Sequence, residues 1–172
     1  MKIAVDWIAL IILYLTVLYR RWQSEGRDIL FIRSVMYLYL CFVLYFTMMP
    51  VITSLPFIFD HPHTLMNLVP FIDVLSGRGD FVKQVGLNVL MTVPFGFLFP
   101  LCYKENPKLS KTLLYCFLMS LGIELLQPLV NGARSSDITD IITNVFGGML
   151  GYAFYLLFRP VTASMMELLK NK

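Results

Sequence analysis

Five stretches of seventeen to nineteen residues dominate this chain: Ile3–Tyr19, Ser34–Ile52, Val85–Tyr103, Thr112–Val130 and Ile141–Phe158. Each is apolar on nearly every side, and between them they carry only two charged residues, Asp6 and Glu124. About 20 mostly apolar residues in a helix cross the hydrocarbon core of a bilayer. A backbone that spans lipid must satisfy its own hydrogen bonds, which a helix does within a single segment. Composition agrees: apolar residues are 58% and charged residues 15% of 172, against about 45–50% and about 25% in soluble domains. With 14 Phe, 9 Tyr and 2 Trp, a water-soluble domain of this length could not bury its own surface. Disorder, a coiled coil and a disulfide scaffold are excluded by the same figures. The expected fold is all-α: one polytopic membrane domain over residues 1–172, with about five transmembrane helices.

The first window carries Asp6 near its start, and no small-x-small cleavage site follows it. It reads as a retained span rather than a signal peptide. Lys and Arg concentrate in alternate connections, 20–33, 104–111 and the tail after Phe158, ten against four in the others. By the positive-inside rule, the N-terminus is outside and the C-terminus cytoplasmic. Cys102 and Cys116 then lie near the reducing side, so no disulfide is expected, and the three cysteines have no metal-ligand spacing. A net charge of +3 leaves no basic surface for nucleic acid. No cofactor motif is present. The long external connection, 53–84, is oily at 55–59 and 68–72 and is expected to lie in the interface or re-enter shallowly.

Polar residues inside a membrane are costly and mark functional sites. Asn88, Gln127 and Asn144 each stand three residues from the outer end of their windows, about 5 Å deep, and Glu124 about 9 Å. Glu124 and Gln127 share a helix face at i, i+3. A last helix beginning near Ser135 or Ser136, with one of those serines as its cap, stacks Asp137, Asp140 and Asn144 on one stripe. Gly147 and Gly151 continue that stripe as a small-xxx-small surface for a neighbouring helix. Arg134 completes the short external loop. These groups are either interhelical glue or a ligand site. Their common position in the outer half favours a site.

Four blocks stand in order: Asn67-Leu68-Val69-Pro70-Phe71, Asn88 through Pro94-Phe95-Gly96, Glu124-Leu125-Leu126-Gln127, and Arg134-Ser135-Ser136-Asp137 through Asp140, Asn144 and Gly147-Gly148. Together they closely resemble the VanZ-like family of bacterial membrane proteins over roughly residues 40–158. The resemblance implies a small multi-span protein of Gram-positive-type envelopes that lowers susceptibility to the lipoglycopeptide teicoplanin. It also implies that Asn67, Pro70, Phe71, Asn88, Pro94, Gly96, Glu124, Gln127, Arg134, Asp137, Asp140, Asn144 and Gly147 are the family's recurrent positions, none of them an assigned catalytic residue.

Two classes of function fit. In the first, a non-enzymatic membrane protein binds a lipid-linked cell-wall precursor, another envelope lipid or a lipoglycopeptide at the outer leaflet. Arg134 would take a phosphate or carboxylate by a two-point contact. Asn67, Asn88, Gln127 and Asn144 would supply amide hydrogen bonds, and Glu124, Asp137 and Asp140 would orient the arginine or bind an amine. Pro70, Phe71, Pro94, Gly96, Gly147 and Gly151 would shape the fold. In the second, an intramembrane enzyme modifies an envelope lipid through the carboxylates of Glu124, Asp137 and Asp140, as general acid and base or through an oxygen-bound cation. The known lipid-phosphatase and alcohol-transferase patterns are absent: Ser76-Gly77-Arg78 lacks the histidine nucleophile. His61-Pro62-His63 beside Asp60 reads as a polar turn more readily than as a metal grip.

Overall fold

The computed structural model describes residues 2–58, 66–77, 80–103, 108–130 and 135–170. Among these, every regular element is helical. Five helices are long and apolar enough to cross a membrane: α1 (Lys2–Gln23), α2 (Arg27–Thr47), α4 (Phe81–Leu101), α5 (Leu109–Val130) and α6 (Ile138–Lys170). A short α3 (Ile72–Ser76) precedes α4.

The helices begin and end where chemistry, rather than hydropathy, dictates. α2 starts at Arg27, not Ser34, because its charged first turns are helical beyond the apolar window. It stops at Thr47 rather than Ile52, since Pro50 disfavours a helical residue before it. α6 does not stop at Phe158: it runs through Pro160 to Lys170, 33 residues in all. That is about 50 Å of helix against about 30 Å of hydrocarbon.

α6 is the hub of the bundle, packed chiefly on α4 and then on α5. Glycines permit the α4–α6 contact. A Cβ on Gly151 would fall on the Val93 carbonyl and 2.9 Å from Gly96 Cα, one on Gly96 would fall on the Gly148 carbonyl, and one on Gly147 would fall on the Val89 carbonyl and the Thr92 hydroxyl. Gly148 turns the other way, where a Cβ would lie 2.7 Å from Cys116 Sγ on α5. Only glycine allows backbones this close.

α1 leans on α2 through aromatic contacts. Trp7 lies 6.0 Å from both Phe42 and Tyr45, and Tyr14 stacks on Tyr37 at 5.5 Å. The Tyr37 hydroxyl donates to the Leu10 carbonyl at 2.8 Å. Asp6 is buried at the end of this pair, where its carboxylate accepts the Val51 and Ile52 N–H groups at 2.9 and 2.8 Å. The apolar core joins Ile32 and Met36 of α2 to Phe95, Leu98 and Phe99 of α4 and Cys116 of α5. It occupies the half of the bundle that holds Cys102. The dense polar network gathers in the other half. Cys41, Cys102 and Cys116 are all free thiols.

Candidate functional site

The network starts from backbone groups that helices cannot satisfy by themselves. Pro128 lies inside α5 and has no N–H, so the carbonyl four residues earlier, that of Glu124, lacks its helical donor. The Ser136 hydroxyl donates to it at 2.5 Å. At the next residue, the Asp137 N–H donates to Glu124 Oε2 at 3.0 Å. Glu124 is 3% exposed, and both its backbone and its carboxylate therefore fasten the start of α6 to α5. Gln127 Nε2 donates to the Thr47 carbonyl at 3.0 Å, satisfying an orphan group at the end of α2.

α6 is capped by Asp137, not by Ser135 or Ser136. Asp137 Oδ1 accepts the Thr139 N–H at 2.7 Å, which is the N-cap geometry, with the carboxylate also favoured by the helix dipole. Ser136 cannot cap because its hydroxyl is engaged by Glu124. The other oxygen of Asp137 accepts Asn67 Nδ2 at 2.9 Å. Asn67 is held further by two backbone bonds, its N–H to the Ser136 carbonyl (2.9 Å) and its carbonyl from the Ile138 N–H (3.0 Å). A parallel β-bridge thus ties the connection before α4 to the head of α6. Exposed Pro70 leads into Phe71, which adopts a left-handed φ of 57°. The Phe71 N–H is fixed on Thr139 Oγ1 at 2.9 Å. The apolar side chains along this connection stay outside the bundle: Leu55, Phe57, Leu68, Val69 and Leu75 are all exposed.

A second cluster joins α4 to α6. Asn88 Nδ2 donates to Asp140 Oδ1 at 2.7 Å and Gln84 Nε2 to Asp140 Oδ2 at 3.3 Å. Asn144 stands apart from it. Its Nδ2 donates to Ser120 Oγ on α5 at 2.8 Å, and its Oδ1 has no partner among the described residues. The expected stripe therefore divides, with Asp140, Gly147 and Gly151 turned to α4 and Asn144 to α5. Pro94 lies inside α4 below this level, and the helix runs on through it.

Beside the Asn88–Asp140 pair a groove of about 860 Å³ opens between the end of α2 and the first turns of α4. Asp80, Lys83, Gln84, Asn88, Gln127, Ser135 and Asp140 form its polar side, and Phe46, Leu87, Leu90 and Met91 its apolar side. Of the expected ligand-binding residues, Asn88, Gln127 and Asp140 line this groove. Asn67, Glu124 and Asp137 build its frame, and Asn144 does neither. Arg134, with Asp60, His61 and His63, lies outside the described residues. Among those described, no three His, Cys, Asp or Glu side chains approach as a metal set. Glu124, Asp137 and Asp140 hold backbone N–H groups and amides instead of converging on one point.

Several contributors went unnoticed in the sequence. Lys83 and Gln84 fall just before the apolar window and read as loop. Thr112 and Ser120, fully buried on α5, carry polar groups near its start and in its middle, away from the Glu124–Gln127 end. Thr92 and Thr143 hide their hydroxyls on carbonyls of their own helices, which makes them cheap to bury and inconspicuous. Asp6 did stand out, as a charge in the first window, but its backbone partners are 45 residues away.

Five apolar helices around a polar, glycine-knit end define a polytopic membrane-protein class. Within that class, the chain belongs to the VanZ/LLP1 family, whose pattern matches residues 36–159. It is 30% identical over 123 residues to Protein VanZ of Enterococcus faecium, covering 72% of each chain. No solved structure matches it.

Proposed function

We propose that this protein is a non-enzymatic component of the bacterial cell membrane that binds an envelope lipid or a lipoglycopeptide at the outer leaflet. Through that binding it lowers susceptibility to lipoglycopeptide antibiotics such as teicoplanin. The observation that carries the reading is the groove beside Asn88 and Asp140, a concave site with polar groups on one side and apolar groups on the other. The excess of Lys and Arg in the alternate connections supports an outer-leaflet position for it. Catalysis by Glu124 and Asp137 is disfavoured by their bonding: each carboxylate already accepts main-chain N–H groups that fasten α6.

The test is expression of Asn88→Ala and Asp140→Asn in a susceptible Gram-positive host, with membrane levels and teicoplanin susceptibility measured together. Both variants should reach the membrane at near-normal levels and forfeit most of the protection. Full protection from either variant refutes a binding role for the groove.

A further inference from the structure

We propose that the groove is a side entrance for a lipid with a phosphate headgroup, with Lys83 taking the phosphate and the chain leaving between α2 and α4. This rests on the reading of the groove as a ligand site and names the ligand class.

The argument comes from how α4 is written. Two adjacent stripes of this helix line the groove. Asp80, Gln84, Asn88 and Met91, spaced 4, 4 and 3, form the stripe turned to Asp140. Lys83, Leu87 and Leu90, spaced 4 and 3, form the stripe turned outward, where Leu87 is 54% and Leu90 67% exposed. Facing them across the opening, Phe46 of α2 is 66% exposed. In a bilayer these side chains meet acyl chains, so the groove is continuous with the lipid along its apolar wall.

Along the helix axis Lys83 stands about 6 Å above Leu87 and about 10 Å above Leu90. A headgroup at Lys83 therefore leaves its first methylenes against Leu87 and Leu90, the order in which a phospholipid presents polar and apolar parts. Among the described residues the groove's charged groups are Asp80, Asp140 and Lys83, so the phosphate is assigned to Lys83 itself and not to a net positive field. Asp140 is held by the Asn88 and Gln84 amides, whereas Lys83 makes no ion pair among the described residues. Lys83 also lies in the first turn of a 21-residue helix whose start is not capped by the Asp80 side chain, an end that favours an anion. A lysine here keeps its ammonium at headgroup level while its stem covers apolar surface.

The experiment uses the full chain in detergent with phosphatidylglycerol labelled on its acyl chain. Unlabelled phosphatidylglycerol, diacylglycerol and glycerol 3-phosphate serve as competitors. Phosphatidylglycerol should displace the probe, and neither the lipid without phosphate nor the phosphate without chains should do so at equal concentration. Lys83→Gln, an exposed change that spares the fold, should weaken binding tenfold or more, and Leu90→Trp should weaken it by narrowing the apolar wall. Lys83→Gln binding within twofold of wild type overturns the headgroup assignment. Displacement by glycerol 3-phosphate as effective as by the lipid overturns the side entrance. Mass spectrometry of lipids carried by the purified protein separates this proposal from the one beneath it. A lipid lost in Asn88→Ala but kept in Lys83→Gln refutes the role of Lys83 alone, whereas no bound lipid in wild type refutes both.

Discussion

Replacing Gly151 with alanine is a one-carbon perturbation whose cost can be worked from the α4–α6 contact. The new Cβ would lie 2.9 Å from Gly96 Cα and closer still to the Val93 carbonyl oxygen. Reaching the ordinary contact distance of 3.4 Å from Gly96 alone requires the helices to part by about 0.5 Å, and the carbonyl requires more. Both neighbours are backbone and cannot rotate aside. Overpacking of this kind costs about 1–3 kcal/mol, against which alanine recovers about 0.5–1 kcal/mol of helix propensity. Gly122 on α5 provides the control, because a Cβ there meets nothing within 4 Å. Gly122→Ala should therefore raise the midpoint of thermal unfolding in detergent, and Gly151→Ala should lower it by several degrees, at roughly 2–4 °C per kcal/mol. The change should also reach the site: a parting of about 1 Å takes the Asn88–Asp140 bond from 2.7 Å out of hydrogen-bond range. Protection against a lipoglycopeptide should fall with it. If Gly151→Ala melts at or above the wild-type temperature while Gly122→Ala shows the expected gain, the glycine contact does not limit helix approach and the argument fails.

Three further outcomes are expected. Ser136→Ala removes the hydroxyl bond to the Glu124 carbonyl and should cost about 1–3 kcal/mol, but adding Pro128→Ala restores a helical N–H to that carbonyl. The double variant should unfold above the Ser136→Ala single, and strictly additive losses would contradict the proposed pairing. Asp6→Ala leaves the Val51 and Ile52 N–H groups without their carboxylate and should lower the melting temperature, whereas Asp6→Asn, which keeps one acceptor, should lie between it and wild type. For topology, a single cysteine at position 108, in a background lacking Cys41, Cys102 and Cys116, should resist an impermeant thiol reagent in intact cells. Labelling there, with none at position 134, would reverse the proposed orientation.

The five helices were legible because each is long, apolar and nearly uncharged, and lipid leaves such a segment one backbone conformation. Their ends were less so. Arg27 and Lys170 lie in helices that outrun their apolar windows, since a helix already nucleated continues into water at little cost. Pro160 reads as a stop, yet a single proline removes only one helical bond from a helix held elsewhere by packing. In the site, Asn88, Asp140 and Gln127 stood out as costly groups in apolar surroundings. Lys83 and Gln84 did not, because polarity near a helix end carries no such cost. Nor could hydropathy reveal which carbonyl Gln127 would serve, since Thr47 is 80 residues distant.

The polar residues at this end of the bundle therefore do two different jobs. Asn67, Glu124, Ser136 and Asp137 answer main-chain groups left open by Pro128, by the head of α6 and by the connection before α4. Gln84, Asn88 and Asp140 join α4 to α6 and face the groove. Gln127 does both, closing the end of α2 while lining the cavity. The two jobs are linked mechanically: the frame sets where Asp140 stands, and the glycine contact sets how close Asn88 comes to it. A change in the frame should thus reduce activity through amount and shape of folded protein, and a change in the groove should reduce it at constant amount. Glu124→Ala and Asn88→Ala should both abolish protection, but only Glu124→Ala should also lower the folded protein recovered from the membrane, by removing the acceptor of the half-buried Asp137 N–H. Equal recovery of the two variants, with protection lost in both, would show that Glu124 meets the ligand and would move it from the frame into the site.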